Sequence, residues 1–156
     1  MKFSRIKMGR QGNFILGLLL IFFVFFGYIS NQFPRDDSTN LLPIGQELIF
    51  LYQILFDPGS FLSLIILFGI MFIVALRESF FEFAIRNSIW YIPAILMMSW
   101  FWYWFLFGFD ATVFYIYFIR IEGYLTILAL LSINLLAAIS ASILNEKRKE
   151  LRESKY

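Results

Sequence analysis

Residues 123–145 read GYLTILALLSINLLAAISASILN, twenty-three positions without Asp, Glu, Lys or Arg, and the charged run EKRKELRESKY follows at 146–156. At 1.5 Å rise per residue a helix of this length reaches about 34 Å, enough to cross a hydrocarbon layer about 30 Å thick. Three more windows share the property. Residues 11–34, 58–76 and 87–109 also contain no charged side chain and are 24, 19 and 23 residues long. With 60% hydrophobic, 21% aromatic and only 15% charged residues, the chain lies far on the apolar side of soluble domains. The pattern predicts an all-α integral membrane protein, a four-transmembrane-helix bundle with spans near 13–32, 59–76, 88–107 and 123–144.

The spans occupy more than half of the 156 residues, and no connection between them is long enough for a soluble catalytic domain. Residues 1–156 are therefore expected to form a single membrane domain. The absence of Cys and His rules out disulfides, thiolate chemistry, iron–sulfur ligation and the usual haem, copper and non-haem iron ligands. It also removes the usual general base at neutral pH. No catalytic residue, cofactor or metal site is expected.

Basic residues set the orientation. Lys2, Arg5, Lys7, Arg10, Arg77, Arg86, Lys147, Arg148, Lys149, Arg152 and Lys155 fall on one side of a four-span topology, and only Arg35 and Arg120 on the other. The positive-inside rule then places both termini on the cytoplasmic side, in a prokaryotic plasma membrane or an organellar inner membrane. The first apolar segment lacks a small-x-small cleavage site, since Tyr28 and Ser30 fit poorly, and is read as an uncleaved signal anchor. The tail 145–156 is basic and cytoplasmic, suited to anionic headgroups; its acids, Glu146, Glu150 and Glu153, argue against nucleic acid as a partner.

Residues 43–56, PIGQELIFLYQILF, are too short to span and segregate Gln46, Gln53 and Asp57 from Ile44, Leu48, Leu51 and Leu55. They predict a short amphipathic helix lying in the interface between the first two spans. The run VFYIYFI at 113–119 has no second strand to pair with, so a helix is expected there as well. Glu78, Glu82 and Arg86 at successive i+4 positions predict a short amphipathic helix over 77–87. Pro93 is placed in the first turn of the third span, where it costs no hydrogen bond.

Two groups of residues are candidates for function. Asn134, Ala137, Ala138 and Ala141 line one face of the fourth span, where small side chains let helix backbones approach and Asn134 can bond across the contact; Gly17 and Gly69 are single notches of the same kind. Asp110 and Glu122 are the candidate outer acidic site. With Asp36, Asp37, Glu47 and Asp57 they would give the outer mouth a negative field. The third span, with Trp100, Trp102, Trp104 and neighbouring Phe and Tyr, carries aromatic bulk on every side.

These features point to a non-catalytic accessory subunit of a larger integral membrane complex, with membrane lipids and other integral chains as partners. The alternative is a small homo-oligomeric channel or transporter with an acidic vestibule. An enzyme acting on lipid through Asp110, Glu122 or Glu47 with Arg120 is a third and more distant reading.

Overall fold

A computed structural model describes residues 2–28, 50–56, 61–78 and 81–153, and every regular element among them is a helix. In chain order these are α1 (Lys2–Leu20), continued by a π-helical stretch Ile21–Phe26, then α2 (Phe50–Phe56), α3 (Phe61–Leu76), α4 (Phe81–Phe107), α5 (Thr112–Ile119) and α6 (Ile121–Glu153). Helices α4 and α6 are long and apolar enough to cross a membrane. The apolar stretches Gln11–Phe26 and Phe61–Leu76 are shorter.

Helix α6 is the centre of the packing and lies mainly against α3 and α4. Its buried positions, Thr126, Leu130, Asn134, Ala137, Ala138 and Ala141, recur at three- and four-residue spacing and so form one face. Ala138 and Ala141 meet Ala75 of α3 and Ala84 of α4 in a cluster of buried alanines, against which Phe72 and Leu76 pack. Helix α4 is just as one-sided: Ala84, Ser88, Tyr91, Ile95 and Ser99 are buried, while Trp90, Met97, Phe101 and Phe105 are exposed. The buried hydroxyls of Ser88 and Thr126 are satisfied within their own helices, Ser88 donating to the Ala84 carbonyl and Thr126 to the Glu122 carbonyl, each at 2.7 Å. Such back-bonding is how Ser and Thr sit in apolar helix interiors.

Three local expectations are corrected. Residues 77–87 are not a single amphipathic helix: Arg77 is in a turn, Glu78 is nonhelical and buried, and the helix that follows begins at Phe81 and runs unbroken for 27 residues. Glu78 leaves the expected i+4 series because its carboxyl group finds hydrogen-bond donors inside the bundle. Pro93 consequently lies well inside α4, where it removes one intrahelical donor; its own side chain is exposed. The helix expected over 43–56 is described only from Phe50, and there Leu51, Ile54 and Leu55 are buried in the main core against α3, α4 and α6. Its apolar face thus turns into the bundle; residues 43–49 lie outside the described residues.

The run 113–119 is helical, as α5, and it closes the bundle end opposite Arg77. Tyr117 is buried there, with Trp100 packed edge-on against Phe114 and Tyr117 at 4.5 and 5.8 Å. Trp102 faces another way, 5.5 Å from Phe22 of the π-helical stretch. The aromatic bulk of α4 is therefore divided: Trp100 and Trp102 pack within the chain, and Phe101 and Phe105 point away from it.

The two glycine notches differ. A Cβ at Gly17 would run into the Tyr91 hydroxyl and ring, whereas one at Gly69 meets nothing within 4 Å. Tyr91 cannot simply swing aside, because it is buried, stacks on Phe14 at 4.7 Å and donates to the Phe14 carbonyl at 3.1 Å. Gly17→Ala is expected to destabilise the protein by about 1 to 3 kcal/mol through overpacking, and Gly69→Ala to leave it unchanged. Thermal unfolding of the two variants in one detergent checks the contrast; equal melting temperatures would show that α1 does not dock here.

Candidate functional site

The densest polar constellation lies where α3 ends. A helix leaves its last four carbonyls without intrahelical donors, and α3 has no basic residue in its last turn to meet them. The chain turns instead, with the Arg77 amide donating to the Val74 carbonyl at 3.2 Å and the Glu78 amide to the Ala75 carbonyl at 3.1 Å. That turn leaves Arg77 exposed and Glu78 only 8% exposed.

Three asparagines from three helices converge on this turn. Asn13 of α1 uses its amide nitrogen twice, donating to the Val74 carbonyl at 3.2 Å and to Glu78 Oε1 at 2.9 Å. Asn87 of α4 donates to the same Oε1 at 3.0 Å. Asn145 of α6 donates to the Leu76 carbonyl at 3.1 Å and, more weakly, to the Glu78 carbonyl at 3.4 Å. The result is a cap built in trans: side-chain amides from α1 and α6 satisfy carbonyls of α3, and Glu78 ties α1 to α4. Each donor adds about 1 kcal/mol net, but leaving a buried acceptor without one costs about 1 to 3 kcal/mol.

A cavity of about 320 Å³ adjoins this cluster, lined by Gly12, Asn13, Leu16 and Arg77. Asn13 Oδ1 is buried and has no hydrogen-bond partner. Its orientation is dictated by its neighbours. Turning the amide over would set the oxygen against two other acceptors, the Val74 carbonyl and Glu78 Oε1.

The residues singled out from sequence lie elsewhere. Asn134, Ala137, Ala138 and Ala141 are all fully buried, and the Asn134 amide donates to the Ser88 carbonyl of α4 at 3.1 Å. That face is covered by the chain's own helices. Asp110 and Glu122 are placed at helix starts. Asp110 accepts from the Thr112 amide at 2.9 Å and from its hydroxyl at 2.7 Å, and these bonds hold its carboxyl below the usual carboxylate range. The Asp110 carbonyl meanwhile receives the Trp104 indole at 2.8 Å. Glu122 sits in the first turn of α6, where a negative side chain complements the helix dipole. Among the described residues no group of three or more acidic side chains comes together to hold a metal ion.

Sequence reading passed over the asparagine cluster, although a signal for it exists. Asn13, Asn87 and Asn145 each stand within two positions of the end of a charge-free window, and in a four-span topology those three ends lie on the same side. Polar residues at equal depth on separate helices are candidates to meet one another.

The cap can be weighed by a double-mutant cycle. Asn13→Ala and Asn87→Ala are each expected to lower stability by about 1 to 3 kcal/mol, and the double variant by more than their sum, because either amide alone still serves Glu78 Oε1 and only the double variant leaves it without a donor. Strict additivity in chemical unfolding would show that the two do not share Glu78. No protein-family model, curated protein or solved structure matches this chain.

Proposed function

We propose that the chain is a four-span membrane protein with both termini cytoplasmic, acting as a non-catalytic packing subunit of a larger integral membrane assembly. The observation that carries this proposal is the uncovered face of α4. Trp90, Met97, Phe101 and Phe105 recur at seven- and four-residue spacing and are 53 to 75% exposed, on a different side of the helix from the face buried in the chain's own core. Large, rigid aromatic side chains lose little conformational entropy on contact and are the residue types that anchor interfaces. Flexible aliphatic side chains would cover a purely lipid-facing surface as well.

The polar groups fit the same role. Glu78, Asn13, Asn87, Asn145 and Asn134 tie this chain's helices to one another, which suits a rigid partner surface. In the four-span topology the Arg77–Glu78 turn is cytoplasmic, and α1 and α3 cross with α4 and α6. The first predicted span continues to residue 32, and its last four residues lie outside the described ones. The flanking Lys and Arg distribution supports this orientation.

Reporter fusions at residue 40, at residue 82 and at the carboxy terminus are expected to read outside, inside and inside. Native mass analysis after mild extraction is expected to find integral chains of different sequence bound to this one. Phe101→Ala with Phe105→Ala should weaken that association at least tenfold while leaving the melting temperature of the isolated chain within about 2 °C, since exposed substitutions rarely change stability much. A clean homo-oligomer would instead favour a pore. Its outer mouth would then carry Asp110 and Glu122, and Asp110→Asn with Glu122→Gln should lower its cation selectivity.

A further inference from the structure

We propose that the cavity beside the asparagine cluster is a binding site for the headgroup of an aminophospholipid of the phosphatidylethanolamine type. Asn13 lines this cavity of about 320 Å³, is only 9% exposed, and holds an amide oxygen with no donor. A buried carbonyl oxygen left in that state is destabilising, and its neighbours prevent it from turning over. Because Asn13 also lines the cavity, an N–H or O–H donor bound there can reach this oxygen.

Two more features narrow its chemistry. Arg77 lines the same cavity and its side chain is exposed, so a guanidinium suited to phosphate oxygens stands at the rim. Acidic Glu78 lies directly behind Asn13, 2.9 Å from its amide nitrogen, and favours a cationic donor over a neutral one. A ligand carrying a primary ammonium two carbons from a phosphate meets both requirements. Its ammonium donates to Asn13 Oδ1 while its phosphate meets Arg77. Leu16, one turn farther along α1 than Gly12, supplies an apolar wall along which acyl chains would continue. The lipid source rests on the four-span topology proposed above, which sets Arg77 at the level of cytoplasmic headgroups.

Gly12 offers a way to close the site without breaking the fold, because a Cβ added there meets nothing within 4 Å. Wild-type protein, Gly12→Phe and Arg77→Gln would be reconstituted with equal amounts of dioleoyl phosphatidylethanolamine and dioleoyl phosphatidylcholine, and the retained lipid read by native mass analysis. The two lipids share a phosphate, but choline has no N–H to give. Wild type is expected to prefer the ethanolamine lipid at least tenfold, Gly12→Phe to fall to parity, and Arg77→Gln to retain less of both. Parity in wild type, or a preference that survives Gly12→Phe, overturns the proposal. Binding of soluble glycerophosphoethanolamine without retention of the lipid also overturns it, by assigning the same chemistry to a free molecule. The reporter at residue 82 separates the two proposals: an outside signal defeats the topology, whereas parity with an inside signal defeats the headgroup site alone.

Discussion

Amide donors meeting the carbonyl end of α3 are the interaction on which the arrangement of the other helices depends. Carbonyls at a helix end need donors from somewhere, and away from water the choice is narrow. Here the turn's own amides serve Val74 and Ala75, and side chains of α1 and α6 add the rest, with Asn13 a second donor on Val74 and Asn145 on Leu76. Glu78 then recruits Asn87 of α4 through the same oxygen that Asn13 uses. Because each side-chain donor belongs to a different helix, satisfying α3 fixes the relative height of all four. Apolar packing resists separation of helices but barely resists sliding; hydrogen bonds at one level resist sliding.

Such a cap works only if the helices approach closely, and small residues make that possible. Ala75, Ala84, Ala138 and Ala141 form a cluster that joins α3, α4 and α6 near the cap, and Gly17 lets Tyr91 of α4 reach the Phe14 carbonyl of α1. Asn134 repeats the motif deeper in the bundle, with its amide on the Ser88 carbonyl. Removing side-chain volume at these positions brings backbone acceptors within reach of a short asparagine. A longer Gln could span a wider gap, but with more rotamer freedom to lose.

How much of this was legible depended on whether a feature is a property of one segment or of several. The helical windows, the helix at 113–119 and the one-sided face Asn134, Ala137, Ala138 and Ala141 follow from periodicity and side-chain size within one stretch, and among the described residues each of those stretches is helical, though α4 and α6 run past the expected bounds. The fate of Glu78 could not be read that way. Its i+4 spacing to Glu82 and on to Arg86 is a valid helical signal, but it is outweighed by donors 9 and 65 residues distant in sequence. Pro93 was misplaced for the same reason, since the start of α4 depends on where Glu78 leaves the helix. Gly17 and Gly69 look alike in sequence. Only the partner helix distinguishes them, and it presents Tyr91 to one and open space to the other.

The two ends of the bundle are held by different physics. At the Arg77 end the contacts are directional amide bonds to fixed acceptors, which favour one register. At the other end, Trp100, Trp104, Phe114 and Tyr117 meet through ring edges and faces at 4.5 to 5.8 Å, and the indole nitrogens of Trp100 and Trp102 are buried without partners. Ring contacts of this kind prefer edge-to-face geometry, and the Trp104 indole adds a hydrogen bond to the Asp110 carbonyl. A lysine in place of Asn13 would also have met Glu78, but at the expense of burying a second charge. Neutral amides provide the directionality without that desolvation. The bundle therefore has an end held mainly by amide bonds and an end held mainly by rings. The exposed Phe101 and Phe105 belong to the aromatic end, while the asparagine cap holds the helices in register at the other.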